Sequence, residues 1–152
     1  MLRGVLIGAA AAVAVMASTA AFAQKAESGS AGEAKAMLEK AVAAVTADKA
    51  KALATFNKGE GGFRDRDLYP FCFNIADGII VAGAGPAVGK DIRTLKDASD
   101  KVFGLDVYKA AQDGKITDVS YMFPKAGETT PSAKTSYVTK VGDLGCGVGY
   151  YK

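Results

Sequence analysis

The sequence predicts a single α+β domain in which one long N-terminal helix precedes an antiparallel sheet. The helix is indicated by an Ala-, Lys-, Glu- and Leu-rich stretch at residues 34–56, where apolar residues recur at helical spacing. The sheet is indicated by short apolar segments after Gly59, separated by turn-forming residues. Three of these segments run up to Tyr121, Tyr137 and Tyr150. The chain of 152 residues has room for one core and not for a second domain.

The first 23 residues have the pattern of a cleaved signal peptide. Arg3 precedes an uncharged apolar run from Val5 to Met16, and small residues then close on an A-x-A sequence at residues 21–23. The alternative is a membrane anchor, but the run is Ala-rich and shorter than the ~20 apolar residues that span a bilayer. No later segment is long enough to span one. We therefore expect a periplasmic protein, with secretion also open, whose flexible leader (24–32) precedes one domain at 33–152.

Local signals define the elements that follow the leader. Glycine at position 59 ends the helix, because it adopts the left-handed conformation at little cost. Two strands at 68–75 and 79–82 are joined around Asp77-Gly78, a frequent hairpin dipeptide. The remaining elements are a loop, a short helical turn, a modest helix and three strands, at residues 83–90, 91–96, 103–112, 116–123, 135–141 and 144–151.

Composition excludes several classes of function. The chain has no histidine and two cysteines, so it cannot build a four-ligand Cys/His zinc site, a c-type haem attachment or a His-dependent triad. Its 19 basic and 16 acidic residues are interleaved, which argues against a nucleic-acid partner. We expect no metal, no cofactor and no catalysis. A weaker possibility is a hydrolase or lyase that uses Asp65 or Asp67.

The two cysteines, Cys72 and Cys146, have two interpretations. In an exported protein, two cysteines more often form one disulfide than two free thiols. The alternative is a pair of small buried hydrophobic side chains.

Alternation along the strands groups aromatic side chains on common faces, because neighbouring residues of a strand point to opposite sides. The two groups are Tyr69, Phe71 and Phe73 on one strand, and Val119, Tyr121 and Phe123 on another. An aromatic stripe of this kind is either plain packing or the wall of a ligand site. A buried tyrosine hydroxyl needs a polar partner, which a ligand could supply.

Charged residues next to these strands are candidates for binding an anion. Lys134 directly precedes a strand, and an inward-pointing lysine could bind a carboxylate; the alternative is a solvated residue at the end of a hairpin. Arg64 and Arg66 alternate with Asp65 and Asp67. One arginine could bind a carboxylate through two hydrogen bonds, or both could pair locally with the aspartates on the surface.

Nine segments, in order and spacing, resemble the single Cache domain, type 2, family over residues 33–152. They are Gly62-Phe63, Tyr69-Pro70-Phe71-Cys72-Phe73, Asp77-Gly78, Val81-Ala82, Gly89-Lys90-Asp91, Lys96-Asp97, residues 119–125, Lys134-x-Ser136-Tyr137-Val138 and Gly147-Val148-Gly149-Tyr150. The resemblance implies a PAS-like fold, with a long N-terminal helix across an antiparallel sheet of five to six strands and a pocket between the sheet and the loops. It also implies that the first and last strands are neighbours, which would bring Cys72 near Cys146.

The resemblance further implies an extracytoplasmic small-molecule sensor of the kind found in chemoreceptors and histidine kinases, whose ligands include small carboxylates. We expect a free-standing member that binds a small polar metabolite such as a short carboxylate and signals through a membrane receptor or kinase partner. Family members commonly carry His-Pro in the loop after the second strand, whereas this chain has Ala82-Gly83-Ala84-Gly85-Pro86 and a slightly shorter loop, so the imidazole is missing. The candidate ligand-binding residues are Tyr69, Phe71, Tyr121, Phe123, Lys134, Tyr137 and Arg66.

The alternative comes from a different class of protein. It is a protein–protein interaction module whose pocket is filled by its own side chains, and which docks on a membrane receptor or forms a homodimer through the N-terminal helix. A filled pocket together with a contiguous apolar surface on that helix would favour it.

Overall fold

A computed structural model describes residues 27–152, which form three α-helices, one 3₁₀ turn (Ile92–Thr94) and five strands. The helices are α1 (Ala31–Ala47), α2 (Lys49–Lys58) and α3 (Phe103–Ala110), and the strands are β1 (Pro70–Asn74), β2 (Ile80–Ala82), β3 (Thr117–Pro124), β4 (Pro131–Val141) and β5 (Leu144–Tyr151). The predicted α+β class is confirmed. The predicted signal peptide and residues 24–26 lie outside the described range.

The five strands form one antiparallel sheet in the order β2-β1-β5-β4-β3. The first and last strands of the chain are therefore neighbours at its centre, as the family resemblance implies. In their register Cys72 lies directly opposite Cys146. The two residues form the predicted disulfide, with a Cα–Cα distance of 4.1 Å, and both are completely buried.

The sheet has two faces that are covered differently. The helix face, which carries Leu144, Cys146 and Val148 of β5, packs against α1 and α2. The opposite face, which we call the cavity face, carries Phe73 and Val138 and is flanked by α3 and the 3₁₀ turn. The cavity described below lies on this second face.

The predicted single helix at residues 34–56 is two helices. Asp48 has extended backbone dihedral angles (φ −159°, ψ 95°), and its side chain accepts a hydrogen bond from the Lys51 N–H, so it ends α1 and caps α2. Aspartate favours this position because its short side chain competes for backbone N–H groups. The residues around Asp48 are strong helix formers, and they hid this break.

The ordered fold also begins before the predicted domain boundary at residue 33. Ser30 caps α1 and forms a reciprocal capping box with Glu33. Gly29 donates its N–H to the Asp67 carboxylate at 2.7 Å. The segment before α1 is therefore tied to the loop that leads into β1.

Candidate ligand-binding site

A cavity of about 390 Å³ opens between the cavity face of the sheet, the loop after β2 and the start of α3. A smaller apolar chamber of about 60 Å³ adjoins it, and Tyr69, Phe103 and Phe123 line both. The site therefore has a larger part, which we call the outer cavity, and a smaller part, which we call the inner chamber.

The inner chamber is aromatic and aliphatic. Phe71, Ile92 and Tyr121 are among its lining residues. The ring of Tyr121 stacks on Phe103, with 4.2 Å between centroids, and its hydroxyl forms a 2.7 Å hydrogen bond with the Ser136 hydroxyl. Burial raises the pKa of Tyr121. The chamber therefore suits an apolar group of a ligand.

The outer cavity is lined by more cations than anions. Its charged lining residues in the described chain are Arg64, Arg66, Lys90 and Lys96, with Asp67 as the single acid. A concave site with an excess of one charge focuses the field and attracts ions of the opposite sign. Its electrostatics therefore favour an anionic ligand.

Lys134 is buried next to this cavity, with 4 % of its surface exposed. Its Nζ atom lies 4.9, 5.0 and 4.9 Å from the ring centroids of Tyr69, Phe123 and Tyr151, and it donates a long hydrogen bond of 3.4 Å to the Tyr69 hydroxyl. The three rings line the cavity whereas Lys134 does not, so its ammonium lies directly behind an aromatic wall. Cation–π attraction stabilises a charge in such a position.

The ammonium of Lys134 has no carboxylate partner among the ion pairs of the described residues. Burial lowers its pKa to about 8, and the negative charge of Asp67 partly opposes that effect. A buried cation without a counter-ion is costly, and an anion bound in the cavity would offset that cost.

Alternate glycines of β5 explain how such bulky side chains fit on the cavity face. A Cβ atom on Gly147 would lie 2.5 Å from Cζ of Phe71, and one on Gly149 would lie 2.5 Å from Cε of Lys134. Gly145 makes room for Phe73 in the same way. The sequence contains this signal as glycine at every second position of a strand, and the sequence analysis missed it.

Four of the predicted aromatic residues line the site. Phe71 and Tyr121 face the inner chamber, and Tyr69 and Phe123 face both parts. Burial raises the pKa of Tyr69, as it does that of Tyr121. The strand alternation in the sequence had grouped these side chains correctly.

Arg66 lines the outer cavity, but its guanidinium group is engaged elsewhere. It forms ion pairs with Asp65 at 3.1 Å and Glu33 at 2.7 Å, and donates to the Ser28 carbonyl at 2.9 Å. Its backbone is left-handed, with φ of 56°. These contacts hold the loop before β1 against the start of α1.

Tyr137 lies away from the cavity. It is on the helix face, where its ring stacks on Tyr150 with 5.7 Å between centroids, and it lines neither part of the site. The reason is geometric, because Tyr137 is three residues from Lys134 and an odd separation along a strand places two side chains on opposite faces. We therefore leave Tyr137 out of the site.

Tyr151, Phe103 and Asp67 also line the site, although the sequence analysis did not place them among the ligand-binding residues. Tyr151 provides the third ring around Lys134 and donates its hydroxyl to the Pro124 carbonyl at 2.8 Å. Phe103 begins α3, and Asp67 belongs to the loop before β1. The sequence could have indicated Tyr151, because residues 147, 149 and 151 are two positions apart and therefore lie on the same face of the strand.

Neither condition for the interaction-module alternative is met in residues 27–152. The cavity is open, and the outward side of α1 carries polar residues such as Lys35, Glu39 and Lys40. The large apolar side chains that are exposed lie outside α1, at Val88, Val102 and Met122.

The model of the family "Single Cache domain 2" matches residues 10–151, and the chain belongs to this family. No curated protein matches the chain at a significant level.

Solved structures share the fold. A methyl-accepting chemotaxis protein from Vibrio parahaemolyticus RIMD 2210633 is 21 % identical, with a TM-score of 0.63 over 79 % of this chain and 86 % of that one. A periplasmic sensor domain of a chemotaxis protein is also 21 % identical, with a TM-score of 0.59 over 77 % and 86 %. A Cache chemosensory domain described for carboxylic acid recognition is 22 % identical, with a TM-score of 0.54 over 77 % and 84 %.

Within residues 27–152, no helix has the length and hydrophobicity needed to cross a membrane. The same residues contain no group of three or more His, Cys, Asp or Glu side chains arranged to hold a metal ion.

Proposed function

We propose that this protein is an extracytoplasmic, non-catalytic sensor domain that binds a small carboxylate and signals through a membrane receptor or kinase. The observation that carries this proposal is a cation-lined cavity backed by a buried lysine that has no carboxylate partner among the ion pairs of residues 27–152. The relative that recognises carboxylic acids supports the choice of ligand. The disulfide and the relative with a periplasmic sensor domain support the location.

The two parts of the site suit the two ends of a short carboxylate. Its apolar end would enter the chamber lined by Phe71 and Tyr121. Its carboxylate would remain in the outer part, where it accepts from the Tyr69 hydroxyl. That hydroxyl is 3.4 Å from Nζ of Lys134, so the anion would lie within strong electrostatic range of the ammonium. The binding free energy would then include relief of an uncompensated buried charge.

A thermal-shift and calorimetric screen of small carboxylates, amino acids, amines and purines tests this proposal. We expect carboxylates to raise the melting temperature in proportion to the logarithm of their concentration, because they bind the folded state alone. Lys134→Met keeps most of the length and the apolar character of the side-chain stem but removes the charge, and it should abolish the shift. Lys109→Met, at an exposed lysine of α3, is the matched control and should bind normally.

Two results would contradict the proposal. One is the absence of any shift with carboxylates, and the other is an equal shift in the wild type and Lys134→Met. In either case, the search should turn to protein partners in the cell envelope.

A further inference from the structure

Asp67 is an acidic side chain in a site that otherwise favours anions. It is the single acid that lines the outer cavity in the described chain. Its Oδ1 atom accepts the Gly29 N–H at 2.7 Å, whereas its Oδ2 atom is buried and accepts no hydrogen bond from the described residues. The carboxylate is therefore held in place through one oxygen and has free acceptor capacity on the other.

An acceptor of this kind is costly to leave without a donor. A buried polar atom without a partner loses its hydration and gains nothing in return, and the loss is larger for a charged group. If a water molecule supplies the donor in the free protein, a ligand that displaces it must offer an equivalent hydrogen bond or lose affinity. A ligand with a hydrogen-bond donor that reaches Asp67 should therefore bind more tightly than one without it.

Asp67 and the anion-binding part of the site belong to one cavity. The charge of Asp67 acts on Lys134, and both Asp67 and Tyr69 line the outer cavity. A molecule in this cavity whose carboxylate accepts from the Tyr69 hydroxyl therefore shares the space that Asp67 lines.

We propose that the ligand is a hydroxycarboxylate, whose carboxylate accepts from the Tyr69 hydroxyl within the electrostatic range of Lys134 and whose hydroxyl donates to Oδ2 of Asp67. This inference rests on the proposed function and narrows its ligand class. A hydroxyl is favoured over an ammonium because the site already holds an excess of cations, contributed by Arg64, Lys90, Lys96 and Lys134. An ammonium group on the ligand would be attracted by the Asp67 carboxylate but repelled by all four of these cations.

The test compares ligands that differ in a single hydroxyl. Propionate and each enantiomer of lactate are titrated into the protein by calorimetry at one pH and ionic strength. Because a hydrogen bond to a charged group is a strong one, wild-type protein should bind one lactate enantiomer about tenfold more tightly than propionate. The affinity ratio is the readout, so a variant that is less stable overall can still be scored.

Two substitutions at Asp67 and one control complete the design. Asp67→Ala removes the acceptor, and the lactate-to-propionate ratio should fall to about one. Asp67→Asn retains an oxygen for the Gly29 N–H and removes the charge, so the ratio should fall at least threefold even if Asp67→Ala does not fold. Asp106→Ala, at an exposed carboxylate of α3, should keep the wild-type ratio.

The outcomes separate the two proposals. Equal affinities for propionate and lactate in the wild type, or a lactate preference that survives Asp67→Ala, would overturn the hydroxycarboxylate assignment and leave carboxylate sensing intact. Failure of all small carboxylates to bind would overturn both.

Discussion

On the helix face of β5, Leu144, Cys146 and Val148 are completely buried and pack against α1, whereas the positions that alternate with them on the cavity face are glycines. The same strand therefore fills one side of the sheet with its own side chains and, from Gly145 to Gly149, leaves the other side to its neighbours. Phe71, from β1, and Lys134, from β4, occupy the space that the glycines leave.

The two faces of the sheet therefore differ in what they contribute: the helix face stabilises the fold, and the cavity face forms the candidate binding site. The helix face holds a disulfide inside a closely packed apolar core, where each buried group contributes to stability. The cavity face holds an open cavity and a buried ammonium that has no carboxylate partner among residues 27–152, and both cost stability in the absence of a ligand. Natural proteins commonly accept such a cost at sites that bind.

The largest effect should come from the helix face. Replacing Cys72 and Cys146 together with alanine removes a cross-link that closes a loop with a sequence separation of 74 residues. A loop of that length predicts a loss of roughly 4 kcal/mol in the free energy of unfolding, because the unfolded chain gains freedom. Urea unfolding followed by circular dichroism measures it.

The same double variant should bind ligands with unchanged affinity where it is folded, since the disulfide lies on the side of the sheet away from the cavity. A change in unfolding free energy below about 1 kcal/mol would show that the disulfide adds little to this core. A large change in affinity would show that the two faces are coupled.

The second-largest effect should be a pH dependence of the free energy of unfolding, of up to about 3 kcal/mol, that comes from Lys134 on the cavity face. Lys134 has a pKa of about 8 in the folded protein, below its ordinary value of 10.5. Below pH 8 both states carry the proton, and the buried charge destabilises the fold. Between pH 8 and 10.5 the unfolded chain binds this proton and the folded chain does not, so the free energy of unfolding rises with pH.

Unfolding of the wild type and Lys134→Met at several pH values from 7 to 10 isolates this contribution. The difference between the two proteins should change steadily in favour of the wild type as the pH rises. The raised pKa values of Tyr69 and Tyr121 act in the opposite direction above pH 10, but they are common to both proteins. Parallel stability curves would mean that Lys134 titrates normally and is not desolvated.

Carboxylate affinity should show the opposite trend over the same range. It should fall above pH 8, because Lys134 loses the charge that attracts the anion. Stability and affinity would then respond to one proton in opposite senses.

The sequence predicted the sheet well because its signals are local. Asp77-Gly78 indicated the hairpin between β1 and β2, and period-two alternation placed Tyr69 with Phe71 and Tyr121 with Phe123 on the side where the cavity lies. The family resemblance supplied the long-range pairing of β1 with β5, which no local pattern specifies.

The site was harder to predict because it depends on which side chains meet across strands. The space for Lys134 is created by Gly149, on the neighbouring strand and fifteen positions later in the chain. The role of Arg66 depends on Glu33, which only the docking of α1 brings close. Tyr137 was grouped with Lys134 by its motif, although strand geometry separates them.

The smallest expected effect compares two glycines of the same strand face. Gly147→Ala should cost about 1–3 kcal/mol, because the new methyl group meets the ring of Phe71 and, at 2.8 Å, the backbone carbonyl of Tyr137, neither of which can move freely. Gly149→Ala should cost less than about 1 kcal/mol, since it meets the flexible chain of Lys134 and the Ser136 hydroxyl. Only this second variant displaces the ammonium from its three rings, so it should lose carboxylate affinity while remaining nearly as stable as the wild type.

Urea unfolding measures the stability of both variants, and calorimetry measures their carboxylate affinity. If Gly149→Ala bound carboxylates normally, the position of Lys134 behind the aromatic wall would not matter for binding, and the cations at the outer cavity would have to account for it alone.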